Sequence, residues 1–197
     1  MRALAAILGA VVLLAACGGA STQPSPTPAP TAAPTAAPTT AAPTVAATPA
    51  PTPATKLAFT ADLKTENEVP PIANEEKGAS GKATFTLDLT RSGATITAAK
   101  ASIDASFAGL PATTAITIAH LHGPGAAGVN AGVKIPFKTD ADKPLTVTAG
   151  AATFKAGEIT VDPALAQQII DKPGDFYVNF HSKLNAGGVV RGQLVKG

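Results

Sequence analysis

The chain contains three histidines, and two of them have the spacing of a metal site. His120 and His122 lie in residues 119–125 (AHLHGPG). In an extended strand, residues two apart point to the same face with Cβ atoms about 7 Å apart, a common start for a two-histidine copper or zinc site. The Gly-Pro-Gly sequence that follows predicts a turn, which would place the pair at the rim of a β structure.

His181 is the third histidine and ends residues 176–181 (FYVNFH). Alternation places the apolar side chains of that segment on its core face, so His181 is expected to point outward. His120 and His122 have the parity of Ile118, which instead indicates an inward orientation. A bulge or twist in one strand would be needed to bring all three together.

Two hypotheses follow for this trio. His120, His122 and His181 could hold copper or zinc at the rim. Alternatively, the imidazoles could donate hydrogen bonds to loop carbonyls and fasten the rim without metal. The sequence leaves both readings open.

A second group of candidates joins a loop to the last strand. Glu66 and Glu68 in ENEVPP could form a paired-carboxylate site, although a solvated loop is the simpler interpretation. Arg191 lies in VVRGQL near the C-terminus, and its planar guanidinium suits a carboxylate such as Glu68. We therefore predict a structural or partner-binding role for Glu68 and Arg191.

No catalytic residues are assigned. Ser182 follows His181 directly and cannot fold back on it as a nucleophile, and no glycine-rich loop opens a helix to hold phosphate. The formal net charge is only +2, and basic residues are scattered singly, so nucleic acid is not an expected partner.

Alternation with period two dominates from residue 56 onward and predicts an all-β domain over residues 56–197. Leu57, Phe59, Ala61 and Leu63 share one strand face, and the pattern is clearest in residues 83–90 (ATFTLDLT). Gly- and Pro-rich turns between such strands favour a sandwich or barrel. Further predicted strands are residues 94–104, 115–122, 133–137, 145–148, 175–181 and 189–195.

One short helix is expected among the strands. Asp162 and Pro163 form an N-cap and first-turn pair, and Leu165, Ile169 and Ile170 provide an apolar stripe. The Pro-Gly pair at 173–174 then ends the helix.

The N-terminus predicts export and lipidation. Residues 1–16 combine one arginine with an apolar stretch too short to span a bilayer comfortably, and the LAAC sequence that ends at Cys17 is typical of a lipoprotein signal. A plain secretory signal is the alternative. Cys17 is the only cysteine, so acylation would explain its presence. The expected location is the extracytoplasmic face of a bacterial membrane.

Residues 17–55 are predicted to form a disordered tether. Pro, Thr and Ala dominate this segment, and from residue 20 to 55 it carries no charge and only one bulky side chain, Val45. Such a composition cannot bury enough apolar surface to offset the backbone entropy of ordering, and its prolines favour an extended spacer.

The chain resembles the CHRD (chordin-type) domain family in the order of four motifs. These are ENEVPP (66–71), AHLHGPG (119–125), FYVNFHS (176–182) and GGVVRGQL (187–194). The resemblance covers about residues 56–197. It implies an immunoglobulin-like, superoxide-dismutase-like Greek-key β-barrel or sandwich, and a family with no settled biochemical activity.

The dismutase likeness bears on the histidines. Copper/zinc dismutases also begin their copper site with a His-x-His strand, which His120 and His122 match, and His181 could imitate a later ligand. Three histidines cannot supply the remaining copper and zinc ligands, so the resemblance supports at most a three-histidine site.

Two function hypotheses result from this reading. The first is a non-enzymatic extracytoplasmic domain that binds an unknown protein or small ligand. The second is a protein that binds copper or zinc.

Overall fold

The computed structural model describes residues 52–137 and 143–197, with side chains from residue 55 onward. Cys17, the predicted signal peptide and residues 17–51 of the predicted tether lie outside the described residues. The described residues all belong to one compact unit.

Ten strands and one α-helix form the described part of the domain. In chain order the elements are β1 (Thr52–Lys64), β2 (Ser80–Ser92), β3 (Thr95–Ala108), β4 (Ala115–His122), β5 (Val133–Phe137), β6 (Leu145–Thr146), β7 (Ala152–Val161), α1 (Pro163–Asp171), β8 (Tyr177–Ser182), β9 (Val190–Gln193) and β10 (Val195–Lys196). Short 3-10 turns cover Thr65–Asn67, Glu75–Gly78 and Pro173–Asp175.

The strands form one antiparallel sheet in the order β5-β4-β8-β9-β1-β2-β3-β7, with β10 beside β1 and β6 beside β4. The two ends of this order, β5 and β7, pack against each other, so the sheet curls into a nearly closed barrel. The all-β class with one helix is confirmed. Among the described residues, no helix has the length and apolar character needed to cross a membrane.

The barrel interior follows the predicted alternation on β1 and β2. Phe59, Ala61 and Leu63 are at most 2% exposed, and Phe85 and Leu87 are fully buried. Aromatic edges add packing, since the Phe107 and Phe180 ring centroids lie 4.6 Å apart in a T-shaped pair. The inward and outward faces of these strands were therefore predictable from sequence alone.

The helix also forms as predicted. The Asp162 carboxylate accepts hydrogen bonds from the backbone N–H groups of Ala164 and Leu165, at 2.8 and 3.1 Å. Ala166 and Ile169 are fully buried, and the helix packs on β3. Pro173 follows the last helical residue closely, and its missing N–H prevents continuation.

Several boundaries differ from the prediction. β1 begins at Thr52, inside the segment assigned to the tether, and its backbone pairs with β2 from Thr52↔Arg91 onward. The predicted strand 189–195 is split into β9 and β10, because the Leu194 N–H donates to the Phe176 carbonyl between them. The first difference arises because residues 52–55 (TPAT) contain no alternation of large apolar and polar side chains, so the sequence does not indicate that the strand begins there.

Strand β7 was missed by the sequence prediction. Its partner register shifts between Ala101 and Ile103 of β3, opposite a bulge near Glu158, whose φ is 58°. Phe154 and Val161 are both buried although their numbers differ in parity. A bulge therefore breaks the period-two pattern by which the strand could have been recognised.

Candidate metal site and adjacent cleft

Strands β4 and β8 position the three histidines. The register pairs His120 with Asn179, His122 with Tyr177 and Ile118 with His181. Directly opposed residues on antiparallel strands share a sheet face, and so do residues two apart on one strand. His120, His122 and His181 therefore lie on the same face.

A bulge in β4 resolves the conflict in predicted orientation. Ile116 pairs with Ser182 while Ile118 pairs with His181, so Thr117 is an extra residue on β4. Ile116 is fully buried in the barrel, but beyond the bulge the buried positions are Ala119 and Leu121. The prediction that His120 and His122 face inward is therefore wrong, because an inserted residue reverses the parity of everything after it.

The outward orientation of His181 is as expected, and the outer face here is covered. His181 is 5% exposed and His122 is 9% exposed, whereas His120 is half-buried. Hydrogen bonds join this face to the loops after β4 and β8. His122 Nδ1 donates to the Ala131 carbonyl at 2.8 Å, and His181 Nδ1 donates to the Ala186 carbonyl at 3.0 Å.

The three imidazoles converge. His120 Nδ1 lies 3.1 Å from His181 Nε2, and one candidate ligand nitrogen from each ring falls within a group no wider than 4.8 Å. Because Nδ1 of His122 and His181 already donates to a carbonyl, Nε2 is the nitrogen that each ring could offer to a ligand. In the structure, His181 Nε2 accepts a hydrogen bond from His120 Nδ1. His122 Nε2 is buried and has no hydrogen-bond partner.

The electrostatics of the cluster favour neutral rings. Burial lowers the pKa of His120 to about 4, with further contributions from His181 and His122. The pKa values of His122 and His181 are also lowered, in both cases mainly by burial. Neutral imidazole is the form that coordinates metal, so the site is ready for a cation near neutral pH.

A stack of side chains supports His122 from behind. The His122 and Tyr177 rings are almost parallel, at an interplanar angle of 4° and a centroid distance of 5.0 Å. The Arg191 guanidinium carbon lies 4.2 Å from the Tyr177 ring centroid. The Tyr177 hydroxyl accepts a hydrogen bond from the Ala131 N–H at 3.0 Å, so the same loop residue contacts both rings.

Glu68 and Arg191 lie near each other but do not form the ion pair that the sequence suggested. Arg191 is 1% exposed, and it donates from Nη1 to Asn130 Oδ1 at 2.9 Å and from Nη2 to the Val129 carbonyl at 3.2 Å. Within the described residues, no ion pair of 4.0 Å or less joins Arg191 to Glu68. The loop after β4 occupies the guanidinium edge that the pairing needed.

Glu68 is 5% exposed, and its carboxylate has few hydrogen-bond partners in the protein. Its Oε2 has one long contact of 3.5 Å from Asn179 Nδ2, and its Oε1 has no partner. Burial raises the pKa of Glu68 to about 7, while the Arg191 charge acts in the opposite direction. The interpretation of Glu68 as part of a solvated loop is therefore wrong; Glu66, by contrast, is exposed.

The sequence was then compared with known proteins. A family model for the CHRD domain matches residues 59–194, which is most of the chain and nearly all of the described part. The chain belongs to the CHRD domain family. No curated protein and no solved structure matches the chain.

The four motifs behind the resemblance meet in this part of the CHRD domain. AHLHGPG and FYVNFHS contribute the three histidines, while ENEVPP and GGVVRGQL contribute Glu68 and Arg191. Gly188 in the last motif has φ 136°, and a Cβ there would lie 2.6 Å from the Asn179 side chain and 2.7 Å from Glu68 Oε2. Only glycine fits this close approach.

Sequence reasoning missed several polar side chains of the CHRD domain that organise the site. Tyr177 and Asn179 alternate with the core residues of β8, and their shared parity with His181 was the available signal. Glu76 gave no such signal, yet it is 2% exposed. Its Oε2 accepts hydrogen bonds from Ser182 Oγ at 2.6 Å and Asn185 Nδ2 at 2.5 Å, which accounts for Ser182 structurally.

Proposed function

We propose that this protein is a cell-envelope lipoprotein that displays a non-catalytic CHRD domain, and that this domain binds copper or zinc through His120, His122 and His181. The observation that carries the proposal is the convergence of three imidazole nitrogens within 4.8 Å. The broader sequence-based hypothesis of a binding domain is thereby given a specific ligand class.

The geometry is close to that of a bound site. Metal–nitrogen bonds of about 2.0–2.1 Å limit two ligands of one ion to a separation of about 4.2 Å. The 3.1 Å separation between His120 Nδ1 and His181 Nε2 already suits neighbouring ligands. The widest separation, up to 4.8 Å, exceeds this limit by at most about 0.6 Å for ligands on opposite sides of an ion, so the side chains must rotate for all three to bind one ion.

The hydrogen bonds of His122 and His181 support ligation rather than simple fastening. Histidine ligands characteristically donate their second N–H to a carbonyl or carboxylate, which fixes the tautomer and the ring orientation. Ala131 and Ala186 supply those carbonyls. The same bonds would also fasten the rim, and a hydrogen bond from His120 Nδ1 accounts for the approach to His181 Nε2. Fastening does not account for His122 Nε2, which is buried without a partner and which a metal ion would satisfy.

Three neutral imidazoles favour Cu(II) over Zn(II), because divalent affinities generally peak at copper. Three protein ligands leave at least one coordination position for water or a small molecule. The lowered histidine pKa values reduce competition from protons at neutral pH.

Display on the envelope rests on the sequence of the N-terminus. An acylated Cys17 would attach the chain to the membrane without a spanning helix, and residues 17–51 would hold the domain away from the lipid surface. The partner set is then the membrane through lipid, the metal, and whichever extracytoplasmic molecule meets the domain.

Calorimetric titration of the metal-stripped full chain in detergent tests the metal site. We expect one Cu(II) per chain with micromolar affinity or tighter, and weaker binding of Zn(II). His122→Ala should lower the copper affinity by at least about tenfold, since even loss of a supporting residue can have that effect. Glu158→Gln removes an exposed carboxylate outside the cluster and should leave the affinity unchanged.

Absence of copper binding at micromolar concentration and neutral pH would exclude the metal site. So would equal affinity of wild type and a folded His122→Ala protein.

Lipid labelling of Cys17→Ser in a bacterial host tests the anchor separately. Only a cysteine thiol accepts the diacylglyceryl group, so the variant should accumulate as uncleaved, unlabelled precursor. Normal labelling of the serine variant would contradict the anchor and leave the metal proposal untouched.

A further inference from the structure

A cleft of about 600 Å³ lies beside the stack of Arg191 on Tyr177. Its walls come from β1, the 3-10 turn and loop that follow it, the loop after β4, β9 and β10. This volume is within the range of small-molecule sites, about 300–1,000 Å³, and far exceeds the space of one water molecule.

The cleft has an acidic lining. Asp62, Glu66 and Glu68 contribute carboxylates, and Arg191 is the one cationic side chain in the lining. Lys82 lies outside the lining but forms an ion pair of 2.6 Å with Asp62. The two terminal nitrogens of Arg191 already donate to Asn130 and Val129. Once Glu68 is ionised, these three carboxylates outnumber the cations Arg191 and Lys82 by one, so a cation entering the cleft would meet a small excess of negative charge.

One buried atom indicates where such a ligand would bind. Glu68 is 95% buried and lines the cleft, yet its Oε1 has no hydrogen-bond partner and its Oε2 has only the long contact with Asn179. A buried carboxylate oxygen without a donor is costly. The missing partner is a donor, and a positively charged donor would form the strongest bond.

The size and lining of the cleft distinguish between kinds of cation. Among the described residues, the only group of His, Cys, Asp or Glu side chains with metal-ligand spacing is the histidine cluster, so the cleft carboxylates do not form a metal cage. Apolar side chains form part of the remaining lining, namely Val69, Pro71, Ala127 and Val195. This combination suits an ammonium group on a short aliphatic chain.

We propose that the cleft binds a small aliphatic amine, with its ammonium group donating to the Glu68 carboxylate and its hydrocarbon chain packed along Val69 and Val195. Because Oε1 is buried in the free protein, the Glu68 side chain must rotate toward the cleft to accept this bond. Glu66 at the rim attracts the ligand. This site shares no ligand-binding residue with the histidine cluster, so it stands or fails independently of the metal.

Calorimetry with putrescine tests this site. The metal-free full chain is used in detergent at low salt, at a pH above the Glu68 pKa of about 7 so that the carboxylate is ionised. We expect saturable binding of putrescine and none of the neutral butanediol of equal chain length. Glu68→Gln keeps the shape but removes the charge, and should weaken binding by about tenfold or more. Asp104→Asn removes an exposed carboxylate of β3 outside the cleft and should have no effect.

A second variant protects the test against misfolding. Glu66 is exposed, so Glu66→Lys should fold normally and should also lower the putrescine affinity by about tenfold, through repulsion at the rim. Lack of putrescine binding at millimolar concentration would overturn the proposal. Wild-type affinity in Glu66→Lys, or in a folded Glu68→Gln protein, would overturn it as well and leave Glu68 as a buried acid bridged by water.

Discussion

The histidine cluster and the cleft around Glu68 use the same face of β8 in opposite ways. His181 and Asn179 lie two residues apart on that face, the first in the cluster and the second against Glu68. Burial shifts both groups toward neutrality, since it lowers the pKa of His120 and raises the pKa of Glu68. One group is a base and the other an acid, so the same physical cause produces opposite dependence on pH.

The two regions also differ in how completely they are supported. Carbonyl oxygens accept from Nδ1 of His122 and His181, so Nε2 of each ring lies on the side of a common centre. Beside the cleft, the unpartnered atoms are Glu68 Oε1 and Arg191 Nε. Under the two proposals, the cluster binds a cation through nitrogen and the cleft binds a donor through oxygen.

The largest expected effect comes from Arg191→Ala. This change removes a buried cation that holds Asn130 and Val129 and covers Tyr177, and it leaves Glu68 without compensating charge. We expect a loss of about 3 to 5 kcal/mol in the free energy of unfolding, measured by denaturant titration. Arg91→Ala removes an arginine that donates to an exposed carbonyl and should cost less than about 0.5 kcal/mol.

A loss below about 1 kcal/mol for Arg191→Ala would show that the cleft does not depend on this side chain. The stack against Tyr177 would then be a contact of little energetic weight.

The acid in the cleft should give stability that declines as pH rises. The folded pKa of Glu68 is raised from 4.5 to about 7, so its favourable contribution is complete below pH 4.5 and is lost as pH rises through about 7. Relative to Glu68→Gln, the unfolding free energy of wild type should fall by about 3 kcal/mol across that window. Denaturant titrations at a series of pH values measure the difference. Parallel curves for the two proteins would contradict it.

The metal-free histidine cluster should show the reverse trend. The folded pKa of His120 is lowered from 6.5 to about 4, so its contribution is complete above pH 6.5 and is lost as pH falls toward about 4. Relative to His120→Gln, the unfolding free energy of wild type should fall by about 1 to 2 kcal/mol over that range, allowing for solvent at the half-buried ring. The measurement is made with a chelator present.

An unchanged difference between wild type and His120→Gln from neutral to acid pH would mean that His120 is solvated in the folded protein. If the pH dependence of the unfolding free energy were absent for His120 but present for Glu68, burial would control the charge in the cleft and not in the histidine cluster.

The smallest effect is expected from Tyr177→Phe. The ring stack between His122 and Arg191 would remain, but the Ala131 N–H would lose its 3.0 Å acceptor. We expect a loss of about 1 kcal/mol in the free energy of unfolding and a copper affinity within a few-fold of wild type. A drop in copper affinity as large as that of His122→Ala would show that the hydroxyl, through Ala131, controls the position of the ligand.

Much of the barrel could be predicted because its signals are local. Alternation on β1 and β2 identified the buried Phe59, Leu63 and Phe85, and the Asp162-Pro163 pair identified the start of the helix. Strand β7 could not be recognised, because the bulge near Glu158 changes which parity is buried and no residue type in the segment marks that change.

The identity of the candidate metal ligands was available from the sequence, since the chain offers only three histidines and two of them are two residues apart. Their convergence was not. It depends on the pairing of β4 with β8, residues separated by about sixty positions along the chain, and on the extra residue Thr117. Register between distant strands is set by the packing of the whole sheet.

The sequence by itself determined which side chains could do chemistry, the all-β class and the position of the helix, because these depend on residue type and short-range periodicity. The tertiary structure decided which face of β4 carries His120 and His122, and it decided that Glu68 is buried rather than solvated. Burial of that carboxylate results from Gly188 approaching it and from the loop after β4 taking the hydrogen bonds of Arg191. Both are contacts between segments far apart in the chain, which no local pattern encodes.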